Sequence, residues 1–274
     1  MKKKVSITIN TKILRDIDSI VDNIFIRNRS QAFEYMIKKA LKENKIAVIL
    51  AGKSSISQGK IVKDRYAFKI NHSTIIEKAI KKLSDSGFKN IYIIADHDNL
   101  TNVFKIIGDG SSRNLKIEYV DEENPEGTAS ALKLLKGKVK TTFLVIWCDI
   151  IFDKVNLDEL WRQHLQEKTV STLLLTSSIT PISDKKIWGY VKLEGNKIVS
   201  YVEKPVPKNI TSSIFFRGIF VAEPEIFSYS GKSLEFDVFP DLVKRGLLGG
   251  QISSAEYLHA HNYTDLRRVK KQLN

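Results

Sequence analysis

The sequence predicts two units of different class: a strand–helix–helix segment over residues 1–45, and an α/β domain with a mostly parallel sheet over residues 46–274. Two observations predict this. Before Lys45 the apolar residues alternate once and then recur at helical spacing. After Ile46 short, wholly apolar stretches alternate with amphipathic ones, the texture of a parallel sheet covered by helices. A chain of 274 residues is also long for one compact core, which agrees with a division.

In Lys4–Asn10, Val5, Ile7 and Ile9 share one face of a strand while Lys4, Ser6, Thr8 and Asn10 share the other. Asn10 or Thr11 caps a helix carrying Ile13, Leu14, Ile17, Ile20 and Val21, and Asp22-Asn23 ends it. Ser30 is placed to cap a second helix, with Phe33, Met36, Ile37, Ala40 and Leu41 on its inner face. From Ile46 the expected strands are 46–50, 90–95, 115–120 and 142–147, and the expected helices are 74–84, 100–107 and 128–136. In such a sheet ligands gather beyond the strand carboxyl ends, here Leu50-Ala51-Gly52, Gly127-Thr128 and Cys148-Asp149.

Composition excludes several classes. With 42% apolar and 27% charged residues the chain can bury a core, so it is neither disordered nor fibrous. Runs such as Ile91–Ala95 and Phe143–Trp147 are far too short to cross a bilayer, and no apolar stretch of signal-peptide kind follows the first lysines. One cysteine, Cys148, excludes an internal disulfide and a cysteine-built zinc site, which makes the cytoplasm the expected compartment. The five histidines show no metal-ligand spacing beyond His259-x-His261. The net charge of +13 is concentrated at the N-terminus, where residues 1–45 carry 11 basic and 5 acidic side chains. Such an excess marks either a polyanion partner or a basic solvated surface.

A unit of some forty residues cannot hold a stable core alone, and a lone strand leaves its backbone unpaired, so it is expected to pair with a copy of itself. Lys4–Asn10, the helix around Asp16–Val21 and the stretch Asn28–Leu41 resemble the ribbon-helix-helix family over residues 3–43. That resemblance implies a homodimer, or a dimer of dimers, whose polar ribbon enters the major groove of double-stranded DNA. Lys4, Ser6 and Thr8 would read base edges, Lys3 would add charge, and the amides near Arg29 and Ser30 would hold a phosphate.

From residue 46 onward the order of Val48–Gly52, Ile70–Ile80, Glu126–Leu132, Trp147–Phe152, Trp188–Pro205, Phe216–Val221 and Ser233–Val243 resembles the sugar-phosphate nucleotidyltransferase family, with its Rossmann-like fold. In that family a sugar 1-phosphate attacks the α-phosphorus of a nucleoside triphosphate and releases pyrophosphate. The resemblance implies a ligand pocket of Ala51, Gly52, Lys53, Gly127, Thr128, Asp149, Glu203 and Lys204, with Asp149 on Mg²⁺ accompanying a nucleotide or nucleotide sugar. The second metal carboxylate is expected where His259 or Asn262 stands.

The sequence departs from the family after the first strand. Lys53 to Lys60 carry neither the second glycine nor the Gly-Thr-Arg of the GGxGTR loop, and the lysine that follows in the family falls near Tyr66 and Ala67 without a match. Lys53, Lys60, Lys63 and Arg65 make the altered loop basic, and lysines can act there as point charges. Losing several electrostatic partners together points to a pseudoenzyme. The favoured expectation is a DNA-binding transcription regulator whose degenerate nucleotidyltransferase-like domain senses a ligand or adds oligomer contacts. The alternative is an active sugar-phosphate nucleotidyltransferase with an autoregulatory or dimerising N-terminal unit.

Overall fold

The computed structural model describes residues 4–43, 45–52, 64–124, 126–177, 188–206, 210, 212–255, 258–260, 265–267, 269 and 271. The chain divides into two compact units, Met1–Asn44 and Lys45–Asn274.

In the first unit, α1 (Thr11–Asp18) and α2 (Arg29–Glu43) pack together. The Asn10 side chain caps α1 by accepting from Lys12 N–H at 2.8 Å. Asp22 Oδ1 gathers the amides of Ile24, Phe25 and Ile26, each at 2.8 Å, and so folds the connection between the helices. Two expectations are corrected here. Residues 4–10 form no strand, because among the described residues no second strand lies beside them. The cap of α2 is Asn28, which accepts from Gln31 N–H at 3.0 Å, while Ser30 lies within the helix. Arg29 is bound by Asp18 through two bonds of 2.7 and 2.8 Å. Lys3 lies outside the described residues.

The second unit is built on a nine-stranded sheet. Its first half is parallel: β1 (Ile46–Leu50), then β2 (Lys69–Ile70) and β3 (Ser73–Thr74) as a small separate hairpin, then β4 (Asn90–Ala95), β5 (Lys116–Asp121) and β6 (Phe143–Trp147). After the short β7 (Ile150–Ile151) come β8 (Ser171–Ser177), β9 (Gly189–Glu194), β10 (Lys197–Glu203), β11 (Ile214–Ala222), β12 (Leu248–Ile252) and β13 (Leu258–His259), the last paired with β7. The sheet order is β5-β4-β1-β6-β11-β8-β12-β10-β9. β11 runs antiparallel to both β6 and β8, and β10 to both β12 and β9, while the other seven strands share one direction, so the sheet is mostly parallel as expected, with two reversed strands.

Alternation along β1 divides the core. Ala47 and Ile49 face α3 (Ile75–Asp85), α4 (His97–Ile107) and α6 (Leu157–Gln166). Val48 and Leu50 face α5 (Thr128–Lys133) and α7 (Phe239–Lys244). Thr74 and Glu77 cap α3 reciprocally: Thr74 Oγ1 accepts from Glu77 N–H at 3.3 Å and Glu77 Oε2 accepts from Thr74 N–H at 2.8 Å. In register, Leu50 lies opposite Trp147, so the segments leaving β1 and β6 emerge side by side at one edge.

Candidate active site

Asp149 leaves the end of β6 almost wholly buried, and its Oδ2 accepts a bond from Arg65 Nη1 at 2.5 Å. Arg65 begins a one-turn helix, Arg65–Ala67, whose next residue, Tyr66, is buried in the core below the sheet. The Tyr66 hydroxyl donates to Asp64 at 2.9 Å and lies 3.1 Å from Asn99 Oδ1, and the Asn99 amide reaches the Ala51 carbonyl at 3.4 Å. Arg65 is thereby fixed relative to the end of β1. On the other side of Asp149, His259 Nδ1 stands 3.9 Å from Oδ1 while its Nε2 donates to the Arg217 carbonyl at 2.6 Å. Cys148, beside Asp149, is pushed up to about 12 by burial and then by that carboxylate, so it is no nucleophile.

A second group of expected residues lies along the chain from there. The Trp188 ring stands edge-on to His259 at 4.8 Å with the Arg217 guanidinium 4.6 Å above it, and the Trp188 carbonyl accepts from Lys204 N–H at 3.1 Å. Glu203 Oε2 accepts from the Tyr201 hydroxyl at 2.8 Å. A Cβ on Gly189 would clash with that hydroxyl and fall 2.7 Å from the carboxylate, so only glycine leaves room for them there. Burial, with the nearby charge of Glu235, pushes the Glu203 carboxyl up to about 7. Glu235 sits on the wide helical turn Leu234–Val238, where its Oε2 accepts from Thr128 Oγ1 at 2.6 Å and Ser233 Oγ at 2.7 Å.

Gly127 and Thr128 have a different surrounding from the expected ligand contacts. The amides of Ala129 and Ser130 donate to the Lys232 carbonyl at 2.8 and 3.1 Å, and a Cβ on Gly127 would lie 2.6 Å from the same oxygen. The turn around Lys232 thus takes the start of α5. At the end of β1 a Cβ on Gly52 would lie 3.0 Å from Glu122 Oε2. Burial and the charge of Asp96 hold Glu122 above the usual carboxylate range. Lys53 lies outside the described residues.

Of the residues expected from sequence, the structure therefore unites Ala51, Gly52 and Asp149 at one edge and Glu203 with Lys204 at a second cluster, joined through Trp188 and His259. Arg65, Glu122, Arg217 and Glu235 were missed as site residues. The signal that pointed to Arg65 was the basic loop, but its pairing with a residue 84 positions away is set by the fold alone.

Among the described residues, the donors at Asp149 do not fit Mg²⁺; Asn262, expected there, lies outside them. That ion demands a near-octahedral set of oxygens. Here one carboxylate oxygen meets a guanidinium, the other faces an imidazole nitrogen, and no group of three His, Cys, Asp or Glu able to hold a metal occurs among the described residues.

Comparison with known proteins bears on the family and the fold. The nucleotidyl transferase family model matches residues 62–244. The bifunctional protein GlmU of Methanococcus maripaludis is 30% identical over 64% of this chain and 41% of its own length. A mannose-1-phosphate guanylyltransferase of Mycobacterium tuberculosis is 29% identical over 51% of this chain and 38% of its own. The chain thus spans less than half the length of these relatives. The solved structure of HddC from Yersinia pseudotuberculosis shares the fold with a TM-score of 0.68 at 18% identity, covering 84% of this chain and all of that one. The expected DNA-binding transcription regulator is corrected by these findings: the matching family and the relatives are nucleotidyltransferases, and nothing among them supports a DNA-reading role for Lys4, Ser6, Thr8, Arg29 or Ser30. With the family model spanning well over half of its residues, the chain belongs to the nucleotidyl transferase family.

Proposed function

We propose that the α/β unit transfers a nucleotidyl group from a nucleoside triphosphate to a sugar 1-phosphate. The observation that carries this reading is the line of groups from Arg65 and Asp149 through His259 and Trp188 to Lys204 and Glu203, which joins a charged nucleotide edge to a hydroxyl- and phosphate-reading cluster. In the reaction an oxygen of the sugar phosphate attacks the α-phosphorus, the new P–O bond forms, and the bond to pyrophosphate breaks with its electron pair leaving on pyrophosphate. Charge stabilisation is the protein's main contribution to such a transfer. Arg65 supplies it on the triphosphate. Lys204 meets the sugar phosphate, and Glu203 with Tyr201 accepts or donates hydrogen bonds to sugar hydroxyls. The absent Gly-Thr-Arg after Gly52 makes a slow enzyme the expectation. The test is pyrophosphate release by the full chain from nucleoside triphosphates and sugar 1-phosphates, in buffers with and without divalent cations. Release should need both substrates and fall at least ~100-fold in Asp149→Asn. No release and no binding with any pair would end this reading.

A second reading concerns the first unit: we infer that it pairs with a second copy of itself through Lys4–Asn10. Val5 and Ile7 are 76% and 60% exposed on a segment with no strand beside it among the described residues.

A further inference from the structure

We infer that Arg65 takes the place of a divalent cation at Asp149, so that nucleotide binding at this site does not depend on metal. The inference rests on the nucleotidyl-transfer reading and deepens it. Both partners are buried, the Arg65 side chain 14% exposed and the Asp149 side chain 4%, and they meet at 2.5 Å. Opposite charges at this separation in a poorly hydrated place are strongly coupled, and withdrawing either one is costly. A metal ion seeking Asp149 must first expel the guanidinium.

The surroundings oppose that exchange. Tyr66, Asp64 and Asn99 anchor the turn that carries Arg65. The opposite side of the carboxylate is filled by His259, whose ring is held by the Arg217 carbonyl and by the edge of Trp188, and a ring nitrogen is a poor ligand for Mg²⁺. A guanidinium offers what a metal would offer to phosphate: positive charge, and N–H donors in a planar fork that matches phosphate oxygens. The neighbouring sequence agrees, since Lys53–Lys60 lacks the arginine of the GGxGTR loop and Arg65 stands at the same edge.

Two measurements on the full chain test this. The first is a Mn²⁺ titration followed by electron paramagnetic resonance without nucleotide. Wild type should leave Mn²⁺ free at millimolar concentration. Arg65→Gln should gain a site at least ~10-fold tighter, lost again in Arg65→Gln/Asp149→Asn, because the guanidinium no longer competes with the metal for the Asp149 carboxylate. Tight Mn²⁺ binding by wild type that disappears in Asp149→Asn overturns the inference.

The second is calorimetric binding of the four ribonucleoside triphosphates and dTTP in excess EDTA and in excess Mg²⁺. Wild-type affinity for the preferred nucleotide should agree within about threefold between the two buffers. Arg65→Gln should lose about tenfold or more in EDTA, the value of a charge-assisted hydrogen bond, and recover part of it with Mg²⁺. Arg65→Lys, which keeps the charge, should stay metal-independent with weaker binding and guards against a folding defect in the glutamine variant. Wild-type binding that vanishes in EDTA overturns the inference. Absence of binding in both buffers counts against nucleotidyl transfer itself, and the Mn²⁺ titration still decides the place of Arg65.

Discussion

Glu203 couples the candidate sugar site to the stability of the fold. Its carboxyl titrates at about 7 in the folded chain because it is buried beside Glu235, against an ordinary value of 4.5. A group whose folded pKa is raised makes the native state bind more protons than the unfolded one between those values, so stability falls as pH rises from about 4.5 to 7. The full difference is on the order of 3 kcal/mol. Glu203→Gln should therefore unfold at higher urea than wild type at pH 8 and at nearly the same urea at pH 5. A variant with the same offset at both pH values would contradict the assignment. Gly218 is a second residue on which the site depends. It has φ +92 in a bulge of β11, and a Cβ there would lie 2.0 Å from the Trp147 ring. Trp147 ends β6, two residues before Asp149, so the ring cannot give way without shifting that end of the strand. Gly218→Ala should cost about 3 kcal/mol or more in denaturant unfolding and change the tryptophan emission of the native state.

Among the elements, the entry into β1 is held by one side chain. Lys45 Nζ binds Asp158 of α6 at 2.5 Å, lies 5.2 Å from the Phe88 ring centre and 5.5 Å from that of Trp161, and reaches the Ser86 carbonyl at 3.4 Å. Asp158 is mostly exposed, so the ion pair itself contributes little, and the rings and the buried lysine stem contribute more. Lys45→Ala should lower stability by about 1–2 kcal/mol, and a double-mutant cycle with Asp158→Asn should give a coupling below about 1 kcal/mol. The elements legible in the sequence are those with one strong period. β1, β4, β5 and β6 are apolar stretches between amphipathic helices, and the structure has each within a residue or so of its expected bounds. β11 could not be oriented in this way, because a strand buried on both faces reads alike whether it runs parallel or antiparallel to its neighbours. Of the candidate site, the sequence offered Asp149 from a strand end and Glu203-Lys204 from a local motif. The site was not legible at Arg65 or Glu235, whose roles come from contacts with Asp149 and Thr128 across the fold.

At the scale of the whole molecule the two units differ in how much they bury. Of the buried apolar residues among those described, only Ile17 and Ala32 belong to the first, whereas the second holds two large clusters on the faces of one sheet. The first unit also leaves Ile24 and Phe25 exposed at 68% and 86%, besides Val5 and Ile7. Burying Val5 and Ile7 against a second copy would contribute about 3–6 kcal/mol as an upper figure, and two extended segments lying side by side would also satisfy each other's backbone groups. This predicts that the full chain sediments as a dimer at micromolar concentration and that Ile7→Glu sediments as a monomer, since a charge on the buried face opposes the contact from both copies at once. The second unit keeps its own core, so the same variant should retain nucleotide binding within about twofold, which separates loss of pairing from loss of folding. A wild-type chain that remains monomeric at concentrations of tens of micromolar would remove the self-pairing and leave the exposed apolar face of the first unit for another partner.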